Sequence, residues 1–219
     1  MIGAIILAAG NGSRYGGYKQ FEKVNGKQII DYTIDIYKDI ADKMVIVLPQ
    51  HYSNRLYLNA VGGKTRFESI CNGFEFVKDC EKILIVDAVR PNTKKKLIQN
   101  VLDELDDCDC VIPALDPTET IVLMTGTDFK PDSLAGFIPD REMVRFCQTP
   151  IGYQNHILQY AMKTAKVYNK VSSNVMAYHI ADHSIGSVKI IKGDLDNIKI
   201  TYPYDLKLFE FLVKGNRNV

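Results

Sequence analysis

The sequence predicts an α/β fold, a mostly parallel sheet with helices on both faces. Three observations predict it. Short β-branched apolar runs recur along the chain, segments of helical period stand between them, and the first run breaks directly into a glycine-rich loop.

Taken in order, Ala4–Leu7 reads as a first buried strand, with no basic residues before it to suggest a signal peptide. Ile29–Tyr37 has helical period, Met44–Leu48 is a second strand, and Arg66–Val77 a second helix. Ile83–Val86 is the next strand, followed by a helix over Lys94–Leu105 and a strand over Val111–Ala114. From Asp116 to Asp140 the pattern loosens. Thr120–Leu123 suits a short strand, Thr125-Gly-Thr-Asp and Lys130-Pro-Asp suit turns, and Ile121, Val122, Phe129, Leu134, Phe137 and Ile138 keep apolar residues recurring. A β-arm projecting over about residues 116–140 fits this better than a disordered loop. Val188–Ile191 is a last strand, and Pro203 opens a helix over Tyr204–Val213 with Leu206, Phe209, Leu212 and Val213 on one face. No repeat or linker divides residues 1–219, so one domain is expected.

Composition narrows the function classes. The chain is 46% hydrophobic with a formal net charge of +1, so no overall field favours nucleic acid or a membrane surface. No run approaches the ~20 apolar residues of a membrane span. Five cysteines without C-x-x-C spacing fit reduced thiols in a cytoplasmic protein and not a zinc site. His179 and His183 lack the glutamate of a metalloprotease helix, and Lys94-Lys95-Lys96 reads as a solvated helix face.

In parallel sheets ligands bind beyond the carboxyl ends of the strands, which directs attention to the loops starting at Ala8 and Asp87. Leu7-Ala-Ala-Gly-Asn-Gly-Ser-Arg-Tyr-Gly-Gly-Tyr-Lys-Gln-Phe21 keeps side chains small at Ala8, Ala9, Gly10, Gly12, Gly16 and Gly17. Backbone N–H groups there can face an anion, with Arg14 and Lys19 adding charge. A Walker A loop is excluded because no Gly-Lys-Ser/Thr follows. The dinucleotide fingerprint fails because Gly10, Gly12 and Gly16 are spaced G-x-G-x-x-x-G and no acid closes the second strand. A third reading resembles the nucleotidyltransferase loop A-A-G-x-G-x-R-x-G…K-Q, which places an arginine and a lysine on the phosphates of a nucleoside triphosphate; a glycine-rich turn with incidental charges stays open beside it.

With this loop the chain resembles the cytidylyltransferases acting on 2-C-methylerythritol 4-phosphate and ribitol 5-phosphate, over nearly its whole length. The resemblance implies a GT-A-like, Rossmann-like nucleotidyltransferase fold and CTP as donor, with Leu7 among the nucleotide-binding residues. Gly62-Gly63-Lys-Thr-Arg66-Phe-Glu-Ser69 resembles the segment that reads the cytosine ring; by itself it equally suits a glycine turn before a capped helix. Asp87-Ala-Val-Arg90-Pro resembles the family's acidic station. That implies Mg2+ at Asp87 and acceptor phosphate at Arg90, although an Asp87–Arg90 ion pair fixing a turn is also open. Thr120 and Arg141 match arm residues that the family contributes across a homodimer interface, and Thr149 of Gln148-Thr-Pro lies near the acceptor. Asp196-Asn-Ile-Lys199-Ile-Thr resembles a station that supplies a second ammonium, Lys199, to the reacting phosphate.

The departures concern the acceptor. Val86 stands where the family has histidine, Ile151 where it has glutamine, Glu119 for a shorter acid, and Ser172-Ser-Asn-Val175 for a Thr-Asp region. These changes favour an alditol phosphate such as ribitol 5-phosphate, for surface polysaccharide, over methylerythritol phosphate, for isoprenoid synthesis. A nucleotide-binding regulatory protein without catalysis is the reading from another class, disfavoured because Arg14, Lys19, Asp87 and Lys199 are all present.

Overall fold

In the computed structural model, which describes residues 1–54, 56–125, 135–168 and 186–215, strand alternation sorts the core into two layers. The first strand, β1 (Ile2–Leu7), points Ile5 to one face and Ala4 and Ile6 to the other. Side chains of successive strand residues face opposite ways, so one apolar run supplies both layers. The strands β4 (Lys43–Leu48) and β6 (Lys82–Asp87) divide in the same manner. On one face lie α2 (Arg66–Phe74) and α4 (Asn155–Tyr168), anchored by Phe67, Ile70, Phe74, Ile157 and Leu158. On the other lie α1 (Ile29–Tyr37) and α3 (Lys95–Glu104), anchored by Ile30, Ile34, Tyr37, Ile98 and Val101. Each fully buried isoleucine contributes about 1.5–3 kcal/mol relative to exposure.

The strand order of the main sheet is β10-β7-β11-β6-β1-β4-β5, with β12 also paired to β7. Here β5 is Leu58–Val61, β7 Cys110–Leu115, β10 Phe146–Cys147, β11 Ile151–Gln154 and β12 Val188–Lys192. β1 pairs in parallel with β4 and β6, as do β4 with β5 and β7 with β12. The mostly parallel sheet expected from the sequence is therefore present. β11 enters antiparallel between β6 and β7, and β10 runs antiparallel beside the end of β7. Ile-Gly-Tyr-Gln carries no run long enough to announce a strand; only its two neighbours make it one.

Two expected boundaries shift. The second helix ends at Phe74 and not Val77, continuing as turns in which Phe76 and Val77 donate to the carbonyls of Gly73 and Phe74. In the arm, Thr120–Leu123 is not the strand. β8 is Leu123–Met124, paired antiparallel with β9 (Ala135–Phe137), because those are the residues with a partner opposite them. The arm's Phe129 and Leu134, and Ser172–Val175, His179 and His183, lie outside the described residues. A small hairpin of β2 (Lys23–Val24) and β3 (Lys27–Gln28) joins the last helix, α5 (Pro203–Gly215), in a third cluster around Phe209, Val24, Ile29 and Ile200.

Candidate active site

The sheet registers bring the candidate residues together. Leu7 lies opposite Asp87 in the β1–β6 ladder, and Leu48 opposite Val61 in the β4–β5 ladder. The loops that follow β1, β5 and β6 therefore emerge side by side at the carboxyl edge, around a cavity of about 490 Å³.

The glycine-rich loop is held from beneath by a side chain to which the sequence reading assigned no role. Gln20, buried in a 3-10 turn (Lys19–Phe21), donates to the carbonyls of Ala8 at 2.7 Å and Gly10 at 2.9 Å. The loop then doubles back. Gly12, with φ +66°, accepts at its carbonyl from the amides of Tyr15 at 2.8 Å and Gly16 at 2.9 Å. A Cβ on Gly12 would stand 1.8 Å from the carbonyl oxygen of Gly17. Among the described residues, the amides of residues 9–14 donate to no protein acceptor, which leaves them for an anion.

The opposite wall is the Gly62–Ser69 loop. Thr65 caps α2 by accepting from the Glu68 amide at 3.1 Å. The Ser69 hydroxyl accepts from Gly63 N at 3.1 Å and donates to Thr65 O at 3.0 Å, so in this structure it shapes the loop. Gly62 packs so close to the first loop that a Cβ would sit 2.2 Å from that of Ala9. Gly62 thus shapes the cavity from behind, while Gly63, Lys64, Thr65, Arg66 and Ser69 line it.

Charge concentrates in this cavity. Arg14, Lys19, Lys64, Arg66 and Lys199 line it, with Asp87 as the one carboxylate among the described residues of the lining. Asp87 is buried at the end of β6, its Oδ1 2.7 Å from Arg66 Nη2 and its Oδ2 2.8 Å from Lys199 Nζ. Arg90 Nε stands 3.6 Å from Oδ2. Burial pushes the Asp87 carboxyl up, but Arg66, Lys199 and Arg90 outweigh it and hold the group well below the usual carboxylate range. Lys19 is shifted down, by burial and by the neighbouring Arg14 and Lys199. A cavity that gathers five ammonium and guanidinium groups suits a polyanion.

The remaining predicted residues divide. Arg90 is buried outside the cavity lining, donates through Nη1 to the Asn197 carbonyl at 2.6 Å, and makes with Asp87 the ion pair that the sequence left open. Thr149 is also buried, its Oγ1 accepting from the Asp87 amide at 3.1 Å. Thr120 and Arg141 are exposed on the arm and outside the lining. Val86 and Ile151, whose identities argued for an unusual acceptor, are core residues at 0% and 2% exposure, one in each apolar layer. Their side chains face packing, which removes them as evidence about the acceptor.

The chain sets a cationic, amide-lined cavity at the carboxyl edge of an α/β sheet, and with the family match over residues 2–215 this makes it a nucleotidyltransferase. It belongs to the family described as IspD, 2-C-methyl-D-erythritol 4-phosphate cytidylyltransferase, whose model matches residues 2–215. Relatives of that name include one from Clostridium botulinum (strain Eklund 17B / Type B), 31% identical over 97% of this chain and 99% of its own. Another, from Prochlorococcus marinus (strain MIT 9312), is 32% identical over 97% of each chain. Among solved structures, the 2-C-methyl-D-erythritol 4-phosphate cytidylyltransferase of Thermus thermophilus matches with a TM-score of 0.77 at 22% identity, covering 96% of this chain and 98% of its own. That of Francisella tularensis gives 0.78 at 24% identity, covering 96% and 98%. At these identities the structural likeness is one of fold.

Proposed function

We propose that this cytidylyltransferase joins CMP from CTP to 2-C-methyl-D-erythritol 4-phosphate and releases pyrophosphate, a step of isoprenoid synthesis. The relatives matching end to end carry that name. The alditol-phosphate acceptor favoured by the sequence gives way to it, since two of the departures behind that choice are core residues. The observation that carries the reaction class is the cavity itself, with five cations and a row of unused amides around one carboxylate.

In this mechanism an oxygen of the acceptor phosphate attacks the α-phosphorus of CTP. The new P–O bond forms as the bond to the β-phosphate oxygen breaks, and pyrophosphate leaves with the electron pair. A phosphate monoester is already nucleophilic at neutral pH, so the protein's task is to gather anions and stabilise spreading charge. The amides of residues 9–14 with Arg14 and Lys19 take the triphosphate, Lys199 faces the reacting phosphate, and the Gly62–Ser69 wall faces the base. Thr149 and Arg90, buried outside the lining, serve the site by positioning Asp87.

The family is generally dependent on a divalent metal, and the residues fit magnesium in one form. Among the described residues no three His, Cys, Asp or Glu side chains cluster, so an all-protein cage is absent. A single carboxylate completed by substrate phosphates is a usual magnesium mode, and Asp87 would hold it. Its chemistry there would be neutralisation of phosphate charge. Lys199 and Arg66 both line the cavity, so each can exchange the Asp87 carboxylate for a phosphate oxygen.

The arm fits a homodimer contact. Val122, Leu123, Phe137, Ile138 and Met143 are exposed apolar residues on or beside it. In such a dimer Thr120 and Arg141 serve the partner's acceptor site. Five cysteines without C-x-x-C spacing fit a cytoplasmic setting, and no helix among the described residues is long and apolar enough to cross a membrane.

Pyrophosphate release measured with CTP or UTP against a panel of acceptors tests the reading. Turnover with CTP and methylerythritol phosphate is expected. Preference for ribitol 5-phosphate would restore the alditol reading, and tight CTP binding without release from any acceptor would support a regulatory protein.

A further inference from the structure

Lys199 lies between β12 and α5 in a segment without regular structure. An ammonium on a flexible four-carbon stem needs its backbone fixed if it is to meet a reacting phosphate. Ile200, one residue on, is buried and donates to the Val89 carbonyl at 2.9 Å. The upstream anchor is Asn197, whose exposure is 0%.

Both halves of the Asn197 amide are used. Nδ2 donates to the Thr149 carbonyl at 2.9 Å, and Oδ1 accepts from Thr93 Oγ1 at 2.8 Å. The Asn197 carbonyl accepts from Arg90 Nη1 at 2.6 Å. Two of these partners also place Asp87: Thr149 Oγ1 accepts from its amide, and Arg90 faces its carboxylate. One buried side chain therefore refers Lys199 and Asp87 to the same frame. Aspartate at this position could not donate to Thr149, and an aliphatic residue would leave both the Thr93 hydroxyl and the Thr149 carbonyl with a partner fewer.

We propose that Asn197 is the positioning residue for Lys199, setting where its ammonium meets Asp87 and the transferred phosphate. This rests on reading Lys199 as a charge-stabilising group. Asn197→Ala is expected to lower kcat about tenfold, as small misplacements near reacting groups do. KM for CTP and CTP affinity by calorimetry should stay near wild type, because Asn197 does not line the cavity.

A double-mutant cycle separates positioning from general stability. In a Lys199→Ala background, Asn197→Ala should cost less than about twofold further, since the group that it positions is gone. Equal losses in both backgrounds, or an unchanged kcat with only a lowered melting temperature, would overturn the inference. Thr93→Val keeps the side-chain shape and removes the hydroxyl that holds Asn197 Oδ1; it should show the same pattern more weakly if Asn197→Ala fails to fold. Wild-type kcat in Asn197→Ala beside an inactive Lys199→Ala enzyme would overturn this inference alone. Full activity in Lys199→Ala would overturn the lysine assignment and this inference with it.

Discussion

Asp87 holds three positive neighbours, and its balance of burial against charge sets the behaviour of the site. Removing the carboxylate leaves Arg90 buried without its counter-charge. Asp87→Asn is expected to cost about 3 kcal/mol in thermal or denaturant unfolding. The pH dependence has a definite sign. The folded carboxyl is depressed below the ordinary 3.8, so its stabilisation is present above that value and is lost as pH falls through the folded value. The stability gap between wild type and Asp87→Asn should therefore shrink in acid; a gap that widens in acid would contradict the ion-pair account. At the same scale, Lys19→Ala and Lys199→Ala should each lower turnover by about a hundredfold or more, the scale of one lost pre-organised donor. Single-turnover kinetics would check this, and near-wild-type rates would remove either lysine from the charge-stabilising set.

The loops that form the cavity depend on each other. The first touches the second at Ala9 and Gly62, where the separation leaves no room for a methyl group. Gly62→Ala should force the two walls apart and raise KM for CTP while leaving the fold intact, since the strands behind them keep their pairing. Calorimetric CTP titration beside circular dichroism measures both, and unchanged CTP affinity would refute the account of the wall. The glycine-rich motif was legible because a bent loop of unused amides needs small residues at particular places, as Gly12 illustrates by its φ. The supports of these loops were not legible. Gln20 and Ser69 act through hydrogen bonds to carbonyls and amides that only loop closure brings within reach.

For the whole molecule, the proposed dimer leads to a mixing test. Arg141→Ala and Lys199→Ala should each be nearly inactive. If Arg141 serves the partner's site, reassorting the two variants rebuilds sites with both residues, about a quarter of the total by random pairing. Recovery of activity on mixing would support the cross-subunit role, and none after proven subunit exchange would place Arg141 outside the site. Phe137→Glu should yield a monomer by analytical ultracentrifugation if the arm forms the contact.

The sequence by itself determined the parallel strands, the helices between them and the glycine-rich loop after the first strand. Each is local: β-branched runs, helical period and glycine spacing act within a few residues of one another. It also marked Asp87 and Lys199, because motif spacing carries chemistry even across a long stretch of chain. Tertiary structure alone decided that β11 inserts antiparallel between β6 and β7, since Ile151–Gln154 is a strand only by virtue of its two neighbours. It decided likewise that Val86 and Ile151 face the core, and that Arg90 is spent on Asp87 and Asn197. Which face a side chain takes, and which distant carbonyl it meets, are consequences of packing. A residue's identity carries its chemistry, and only its surroundings decide whether that chemistry reaches the substrate or holds the protein together.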